Sequence, residues 1–290
     1  MKVAVLGTGR MGGAMVGTLT RAGFDVVVWN RDRAKADAVV SGSGAPVASS
    51  PADAVREAEV VISSLADDAA VEAVFEEAVK GLHAPQVVLE MSTIAPSTIR
   101  TTAERVAATG ATVLDAPVSW SVSLVEAGQL TIMVGGDPDA RERARPVLEA
   151  LSAKLLPVGP LGAGATMKLA VNALVHGLNA ALAESLVLAE RAGVDRTTAY
   201  EVFASGAAGA PFVQYKRAAY EQPDETPVAF SLDLVGKDLD LILQLADEVA
   251  APMPQATVNR EGVRAAIAAG MGSDDLSALA VHLRAIAERP

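Results

Sequence analysis

Short runs of β-branched and apolar residues alternate with longer segments of helical spacing through the first half of the chain. The apolar runs predict strands at Val3–Leu6, Asp25–Trp29, Val60–Ser64, Val87–Glu90, Thr112–Asp115 and Thr131–Val134. Helical spacing is clearest in Met11–Ala22, Ala34–Val40 and Ser97–Thr109. Strands that alternate with helices favour βαβ units and a mostly parallel sheet.

The pattern changes at Pro157–Gly162, where prolines and glycines interrupt it. Beyond this cluster no segment has the pattern of a strand. Helices are predicted at Thr166–Ala192, Arg196–Ala204, Leu232–Val249, Pro254–Ala269 and Leu276–Ala287. We therefore expect an α/β domain over residues 1–161 and an all-α domain over residues 162–290.

A glycine-rich turn follows the first predicted strand. Its sequence, G-T-G-R-M-G, places Gly7, Gly9 and Gly12 in the G-x-G-x-x-G pattern between a strand and a helix. The first glycine permits a tight turn, the second lets the backbone approach a pyrophosphate, and the third lets helix and strand pack closely. The turn predicts a dinucleotide site, because free N–H groups at the helix N-terminus bind phosphate.

The end of the second predicted strand indicates which dinucleotide binds. Enzymes that use NAD usually carry an acid there, which holds the ribose 2′-hydroxyl. Here the strand ends in Asn30, Arg31, Asp32 and Arg33. Asn30 can bind the ribose, and the two arginines can hold a 2′-phosphate. We expect NADPH as cofactor, with Asp32 capping the following helix.

One lysine stands alone on an apolar helix. Lys168 is the only formally charged side chain from Leu155 to Ala183, and a helix that is apolar nearly all round is buried. Lys168, Asn172 and His176 share one helical face. A desolvated lysine can exchange a proton near neutral pH. Two simpler interpretations stay open: Lys168 reaches solvent, and His176 is a core histidine.

Composition limits the other functions. Net charge is −11, which opposes non-specific binding to nucleic acid. Cysteine is absent and the three histidines are scattered, so we expect no disulfide and no metal site. The short apolar N-terminus is not typical of a signal peptide, and no run of eighteen apolar residues occurs. We expect a cytoplasmic protein without a membrane partner.

Five separated motifs resemble those of the β-hydroxyacid dehydrogenase family, which includes 3-hydroxyisobutyrate dehydrogenase and the glyoxylate and succinic semialdehyde reductases. The resemblance covers essentially the whole chain. The motifs are GTGRMGGAM (Gly7–Met15), EMSTIAP (Glu90–Pro96), DAPVS (Asp115–Ser119) with GQLTIMVGG (Gly128–Gly136), GAGATMKLAVN (Gly162–Asn172) and FSLDLVGKDL (Phe230–Leu239). It implies a Rossmann domain joined by a long helix to a helical domain, and a homodimer or homotetramer built through the helical domain.

The resemblance also implies residue roles. Lys168 is similar to the catalytic lysine that exchanges a proton with the substrate oxygen, Asn172 to the asparagine that orients substrate and lysine, and Ser119 to a substrate-binding serine. Asp238 and Lys237 match a cleft pair whose lysine closes over the cofactor. The remaining matches are the cofactor contacts Arg10, Met11, Ser63, Leu65 and Thr93 and the cleft-lining Phe230.

The chain departs from the family pattern beside Ser119. The family usually has glycines after this serine, where backbone receives a carboxylate; here Trp120 and Ser121 follow. The tryptophan could block a carboxylate, form an apolar wall, or turn outward with little effect. Val171 replaces a usual asparagine, and His176 is a further polar group that we place in the substrate pocket with Trp120, Ser121 and Phe230.

The leading hypothesis is an NADPH-dependent reductase of a small aldehyde or keto compound, with Lys168 as general acid. A second hypothesis is imine reduction on a bulkier, less polar substrate; Lys168 argues against it and Trp120 mildly for it. A third is an NADPH-binding protein without turnover. Retention of Ser119, Lys168, Asn172 and Asp238 argues against the third.

Overall fold

A computed structural model describes residues 1–119 and 122–287, and within these residues eight strands form one sheet. The strands are β1 (Lys2–Leu6), β2 (Asp25–Trp29), β3 (Val60–Ser63), β4 (Val87–Glu90), β5 (Thr112–Asp115), β6 (Val118–Ser119), β7 (Leu130–Gly135) and β8 (Ser152–Gly159). The chain divides into two compact units, Met1–Lys168 and Leu169–Pro290, and the sheet belongs to the first.

The first five strands are parallel in the order β2-β1-β3-β4-β5. β7 runs antiparallel to β5 and β6, and β8 is parallel to β7. Beyond β2, Val47 forms a single parallel bridge with Val28. If Val47 is counted as a third strand in sequence order, the six parallel positions follow the order 3-2-1-4-5-6 of a Rossmann sheet. In this protein that third strand consists of a single bridge. The order reverses between β1 and β3, which is where such sheets bind ligands.

Two apolar layers cover the faces of this sheet. Successive side chains of a strand point to opposite faces, so Val3 and Val5 of β1 join one buried cluster, while Ala4 and Leu6 join the other. The parallel strands therefore need apolar residues at nearly every position, and this gives the short continuous runs in the sequence.

The helices of the sheet unit are α1 (Arg10–Arg21), α2 (Arg33–Val40), α3 (Pro51–Val55), α4 (Asp68–Ala78), α5 (Pro96–Ala107), α6 (Val122–Glu126) and α7 (Pro138–Leu151). Four of them begin with a side-chain cap: Asp32, Ser50, Asp67 and Asp137 accept a backbone N–H of α2, α3, α4 and α7 respectively. These caps fix where each helix starts. The cap predicted at Asp32 is confirmed.

The second unit is helical in its described residues. It contains most of α8 (Ala163–Arg191), together with α9 (Arg196–Ser205), α10 (Pro211–Glu221), α11 (Leu232–Glu248), α12 (Pro254–Ala266) and α13 (Ala278–Ala287). Two buried tyrosines, Tyr200 and Tyr220, contact each other with ring centroids 5.7 Å apart. The Tyr220 hydroxyl donates to Oδ1 of Asn179 at 2.7 Å, and Asn179 donates to the Leu276 carbonyl. Asn179 thus links α8 to α10 and to the approach to α13.

The predicted α/β domain followed by a helical domain is confirmed. The differences lie in detail. β8 includes the first half of the Pro/Gly segment, which was predicted only as a break. It is a largely exposed edge strand, where proline is tolerated. β6, α3, α4, α6, α7 and α10 were not predicted. The helix predicted to end at Ala269 closes in a π-helical turn, Ile267–Met271, in which Gly270 has a φ of 93°.

By length and composition alone, one described helix could cross a membrane. That helix is α8, with a mean hydropathy of 1.3 over its most apolar window. Nearly half of that window (44%) is buried within the protein. α8 also buries Asn172, His176 and Asn179, and two of these side chains hydrogen-bond to other parts of the helical unit. These contacts are typical of a core helix.

Candidate active site

The glycine turn joins β1 to α1 in a conformation that requires its glycines. Gly7 has a φ of 98°, and a Cβ there would collide with the Ser64 carbonyl. A Cβ on Gly12 would collide with the carbonyl of Gly7. Gly9 differs, because no atom lies within 4 Å of the position its Cβ would take. The first and third glycines therefore close the turn, while the second leaves its surface open to a ligand.

The N-terminus of α1 is also open. Its N-cap is Gly9, which has no side chain to accept a hydrogen bond from the first turn. Four other helices of this unit have Asp or Ser at that place. The backbone N–H groups of a helix N-terminus and the positive end of its dipole fit a pyrophosphate. The turn thus passes the test for a dinucleotide site, and Arg10 and Met11 begin the helix beside it.

Asn30 at the end of β2 is part of the turn itself. Its Oδ1 accepts the N–H of Thr8 at 3.0 Å, and its Nδ2 donates to the Asp32 carbonyl at 2.9 Å. Each of these atoms has capacity for one more hydrogen bond, so Asn30 can still reach a ribose. Arg31 and Arg33 are exposed; Arg33 lies 3.6 Å from Asp37, and within the described residues Arg31 forms no ion pair.

The last residue of β4, Glu90, carries a buried carboxyl group. Glu90 is fully buried, and its Oε1 accepts the N–H of Ser92 at 2.8 Å. Ser92 in turn accepts the N–H of Leu65, so the ends of β3 and β4 are tied together. Burial raises the pKa of Glu90 to about 7, against the lowering effect of the Ser63 and Ser92 hydroxyls. Ser63 itself is fully buried beside Glu90.

A second buried carboxylate ends β5. Asp115 is fully buried; its Oδ1 accepts the N–H of Gly162 at 3.0 Å and its Oδ2 accepts that of Ala165 at 2.8 Å. Burial raises the pKa of Asp115, and the backbone N–H donors offset only part of that effect. This side chain caps the start of α8 from another element, about one turn before Lys168.

In the helical unit, three of the predicted residues lie close to Asp238 of α11: Asn172, His176 and Lys237. Asp238 is fully buried; its Oδ2 accepts from the Asn172 amide at 2.6 Å and lies 3.6 Å from Nε2 of His176. Its Oδ1 lies 3.1 Å from the Lys237 ammonium, which reaches the surface. The ring of Phe230 is centred 6.1 Å from that of His176.

The other predicted residues lie near the ends of helices or strands. Lys168 is half-buried in the second turn of α8, on the helical face that carries Asn172 and His176. Thr93 is half-buried in the loop after β4, and Ser119 pairs with Thr131 across β6 and β7. Trp120 and Ser121, predicted in the substrate pocket, lie outside the described residues. In the described part of the chain, no group of three or more His, Asp or Glu could hold a metal ion.

Comparison with known proteins places the chain in a family. The family model described as the NAD binding domain of 6-phosphogluconate dehydrogenase matches residues 2–159. The model described as "NAD-binding of NADP-dependent 3-hydroxyisobutyrate dehydrogenase" matches residues 162–283. Glyoxylate/succinic semialdehyde reductase 1 of Arabidopsis thaliana is 35% identical over 96% of this chain and 97% of its own length.

The chain belongs to the β-hydroxyacid dehydrogenase family. It is accordingly an NAD(P)-dependent oxidoreductase that acts on CH–OH and C=O groups of small molecules.

Solved structures of the family agree with this assignment. A 3-hydroxyisobutyrate dehydrogenase of Mycobacterium tuberculosis with L-serine has a TM-score of 0.87 at 29% identity, covering 98% of this chain and 99% of that one. Psf3, in complex with NADP+ and 2-OPP, has a TM-score of 0.88 at 26% identity, covering 97% and 99%. An imine reductase from Pseudomonas sp. has 26% identity over the same shares, but its TM-score is lower, at 0.66.

Sequence reasoning gave no role to Glu90, Ser92 or Asp115, although all three lie within the family motifs. A signal was present: Glu90 and Asp115 are acids at the last position of strands whose preceding residues are mostly apolar. An acid at that place must be buried, hydrogen-bonded or functional. The pattern alone does not give the backbone partners, because those of Asp115 lie 47 and 50 residues away.

Proposed function

We propose that the protein reduces a small aldehyde or keto compound with NADPH, and that Lys168 is the general acid. The observation that carries the proposal is the buried Asp238 carboxylate, which fixes Asn172 by a 2.6 Å hydrogen bond. Asn172 lies one turn from Lys168 on the same face of α8. We infer that this firmly held amide orients the Lys168 side chain for proton transfer.

The chemistry follows from these groups. When bound, a nicotinamide cofactor would supply the hydride that reduces the carbonyl carbon. The Lys168 ammonium donates its proton to the carbonyl oxygen, which completes the hydroxyl, and the amine then regains a proton from solvent. Asn172 orients the lysine and the substrate oxygen, while Asp238 orients Asn172. Ser119 binds the substrate. In the oxidation direction the neutral amine of Lys168 accepts the hydroxyl proton.

The first test is Lys168→Ala beside Lys154→Ala, which removes an exposed lysine from β8 as the matched control. NADPH oxidation is followed with glyoxylate, succinic semialdehyde, uncharged aldehydes and cyclic imines. We expect K168A to lower kcat about 100- to 10,000-fold, since that is what general acid catalysis contributes. The Kd for NADPH should stay unchanged, and K154A should keep the original kcat.

Retained activity in K168A would overturn the assignment of the proton donor. Turnover of imines without turnover of aldehydes would replace the carbonyl substrate by an imine. Binding of NADPH without turnover of any compound would favour a non-catalytic binding protein.

The preference for NADPH rests on the end of β2, where Asn30 replaces the usual acid and Arg31 is exposed and without an ion pair in the described part of the chain. Arg31→Ala should weaken NADPH binding about 10- to 100-fold, the range for a lost charge-assisted hydrogen bond, and leave NADH binding unchanged. Lys35→Ala in α2 is the control. Equal losses for both cofactors would contradict the proposal.

The substrate we propose is a short aldehyde that carries an acid group, as the name of the 35%-identical reductase suggests for that protein. Trp120→Gly tests the departure beside Ser119. If Trp120 narrows the anion site, the variant lowers KM for succinic semialdehyde and leaves KM for an uncharged aldehyde unchanged. Equal KM values in both proteins would mean that the ring does not face the substrate.

We also propose a homodimer or homotetramer built through the helical unit. α8 exposes Leu174 and Leu188, at 75% and 72%, about four turns apart along one helix. Large apolar side chains so exposed favour burial by a second copy. Leu174→Glu should halve the mass measured by light scattering, whereas Val249→Glu, at an exposed residue that follows α11, should not. An unchanged mass in L174E would reject this face.

For location we propose the cytoplasm, without a membrane or nucleic-acid partner. The net charge of −11 repels anionic lipid and nucleic acid, and Asn172 and Asn179 of α8 hydrogen-bond to other parts of their own unit. Fractionation of expressing cells should recover the protein with soluble cytoplasmic markers. Recovery with membranes would contradict this location.

A further inference from the structure

The strongest unassigned feature is the contact between the end of β5 and the first turn of α8. We propose that Asp115 is a positioning residue that sets the place of Lys168 by holding this turn against the sheet. The inference rests on the proposed role of Lys168 as proton donor.

Asp115 holds the turn with both oxygens. One accepts the N–H of Gly162, just before the helix, and the other accepts the N–H of Ala165 within its first turn, at 3.0 and 2.8 Å. Two bonds from one rigid carboxylate define both the position and the direction of a helix start. The negative charge also lies at the positive end of the long helix, which strengthens the contact. Lys168 follows Ala165 by about one turn.

Two glycines make this close approach possible. A Cβ on Gly164 would lie 2.6 Å from the Asp115 carbonyl oxygen and 2.8 Å from that of Met133. A Cβ on Gly135 would collide with Oδ1 of Asp115. Helix and strands therefore meet backbone to backbone, and any larger residue would move the helix start away from the sheet. Such a seam, formed by Asp115, Gly135 and Gly164, leaves little freedom in the backbone that carries Lys168.

The seam should affect proton transfer from Lys168 and leave cofactor binding unchanged, which a contact that only stabilises the fold would not do. The glycine turn after β1 is held instead by Asn30, which hydrogen-bonds to Thr8 and Asp32 at the end of β2. Loosening the seam should therefore disturb proton transfer from Lys168 while cofactor binding is kept. A displacement of about 1 Å can cost on the order of 100-fold in rate.

The test uses Asp115→Asn, which turns one acceptor into a donor, and Gly164→Ala, which crowds the seam. Gly177→Ala is the matched control, because a Cβ at this glycine of the same helix meets its nearest atom at an ordinary 3.7 Å. Single-turnover hydride transfer and NADPH affinity are measured for each. We expect D115N and G164A to slow transfer about 10- to 100-fold with NADPH affinity within about twofold, and G177A to change neither.

Each variant is also combined with K168A, and methylamine is added as a free proton donor. If Asp115 acts through Lys168, D115N costs no more than about twofold in the K168A background, with or without methylamine. The inference is overturned if D115N causes the same loss in both backgrounds, or if G164A and G177A behave alike. Failure of the proposed function is distinct, since K168A alone would then remain active. If D115N does not fold, the comparison of G164A with the G164A/K168A double variant tests by itself whether the seam acts through Lys168.

Discussion

Buried carboxyl groups are held differently in the two units. In the sheet unit, Glu90 and Asp115 receive backbone N–H groups, neither forms an ion pair within the described residues, and burial raises the pKa of both. In the helical unit, Asp238 and Asp275 each lie beside a lysine. At Glu90 and Asp115 the effect of burial on the pKa outweighs that of the hydrogen-bond donors, whereas at Asp275 the lysine and the backbone donors together outweigh burial.

Asp275 shows the second mode most clearly. Both its oxygens lie 2.8 Å from the ammonium of buried Lys216, and it also accepts N–H groups from Ala229 and Ser277. Burial alone would raise the pKa of Asp275, but Lys216 and the backbone donors outweigh it, so the pKa lies below its ordinary value. The segment before Phe230 is thus anchored by an ionised group.

The largest effect is expected at this ion pair. Lys216→Met leaves a buried carboxylate without its cation and should lower the free energy of unfolding by about 4 kcal/mol at pH 7. Because the pKa of Asp275 is lowered, the ion pair stabilises above its ordinary value of 3.8 and is lost as the pH falls through the lowered value. Urea unfolding measures the loss. Lys80→Met, at an exposed pair with Glu77, should change stability by at most about 0.5 kcal/mol; similar losses in both variants would remove the distinction.

Glu90 should respond to pH in the opposite sense. Its folded pKa of about 7 exceeds the ordinary 4.5, so its contribution to stability is full below pH 4.5 and is lost as the pH rises through 7. Glu90→Gln keeps the shape and removes the titration. Relative to the original protein, E90Q should gain about 3 kcal/mol between pH 4.5 and pH 9. Parallel stability curves for the two proteins across that range would show that Glu90 is ionised in the folded state.

The smallest expected difference in stability is between substitutions at two buried polar residues of α8, Asn179 and His176. Asn179 accepts from the Tyr220 hydroxyl and donates to the Leu276 carbonyl, so Asn179→Leu should cost about 2 kcal/mol. His176 is equally buried, yet among the described residues neither ring nitrogen has a hydrogen bond. His176→Leu should change stability by less than about 1 kcal/mol and should change KM for the substrate instead. Thermal unfolding with steady-state kinetics checks both; a large loss of stability in H176L would make His176 a structural residue.

The sequence pattern gave the sheet because its strands are buried on both faces and so read as apolar runs. It did not give β8, whose exposed edge position and Pro157 hide the strand. The i, i+4, i+8 spacing on α8 put Asn172 and His176 on one helical face, and both side chains lie near Asp238. The pattern could not show that Asp238 joins them, because that contact spans 66 residues. Likewise it assigned Asn30 to the ribose without showing the bond to Thr8, which depends on how β1 and β2 pair.

The seam at Asp115 has a consequence for anyone who builds chimaeras from this fold. The Pro/Gly cluster near residue 160 is the natural crossover point to choose from the sequence, and the matches to the two family models also meet there. The first turn of α8 nevertheless belongs with the sheet, and the compact units divide only after Lys168. A crossover at Gly162 would pair Asp115 with a foreign backbone. A crossover placed beyond Lys168, within α8, would transplant the lysine together with the strand that holds the first turn of that helix, and would exchange only the helical unit.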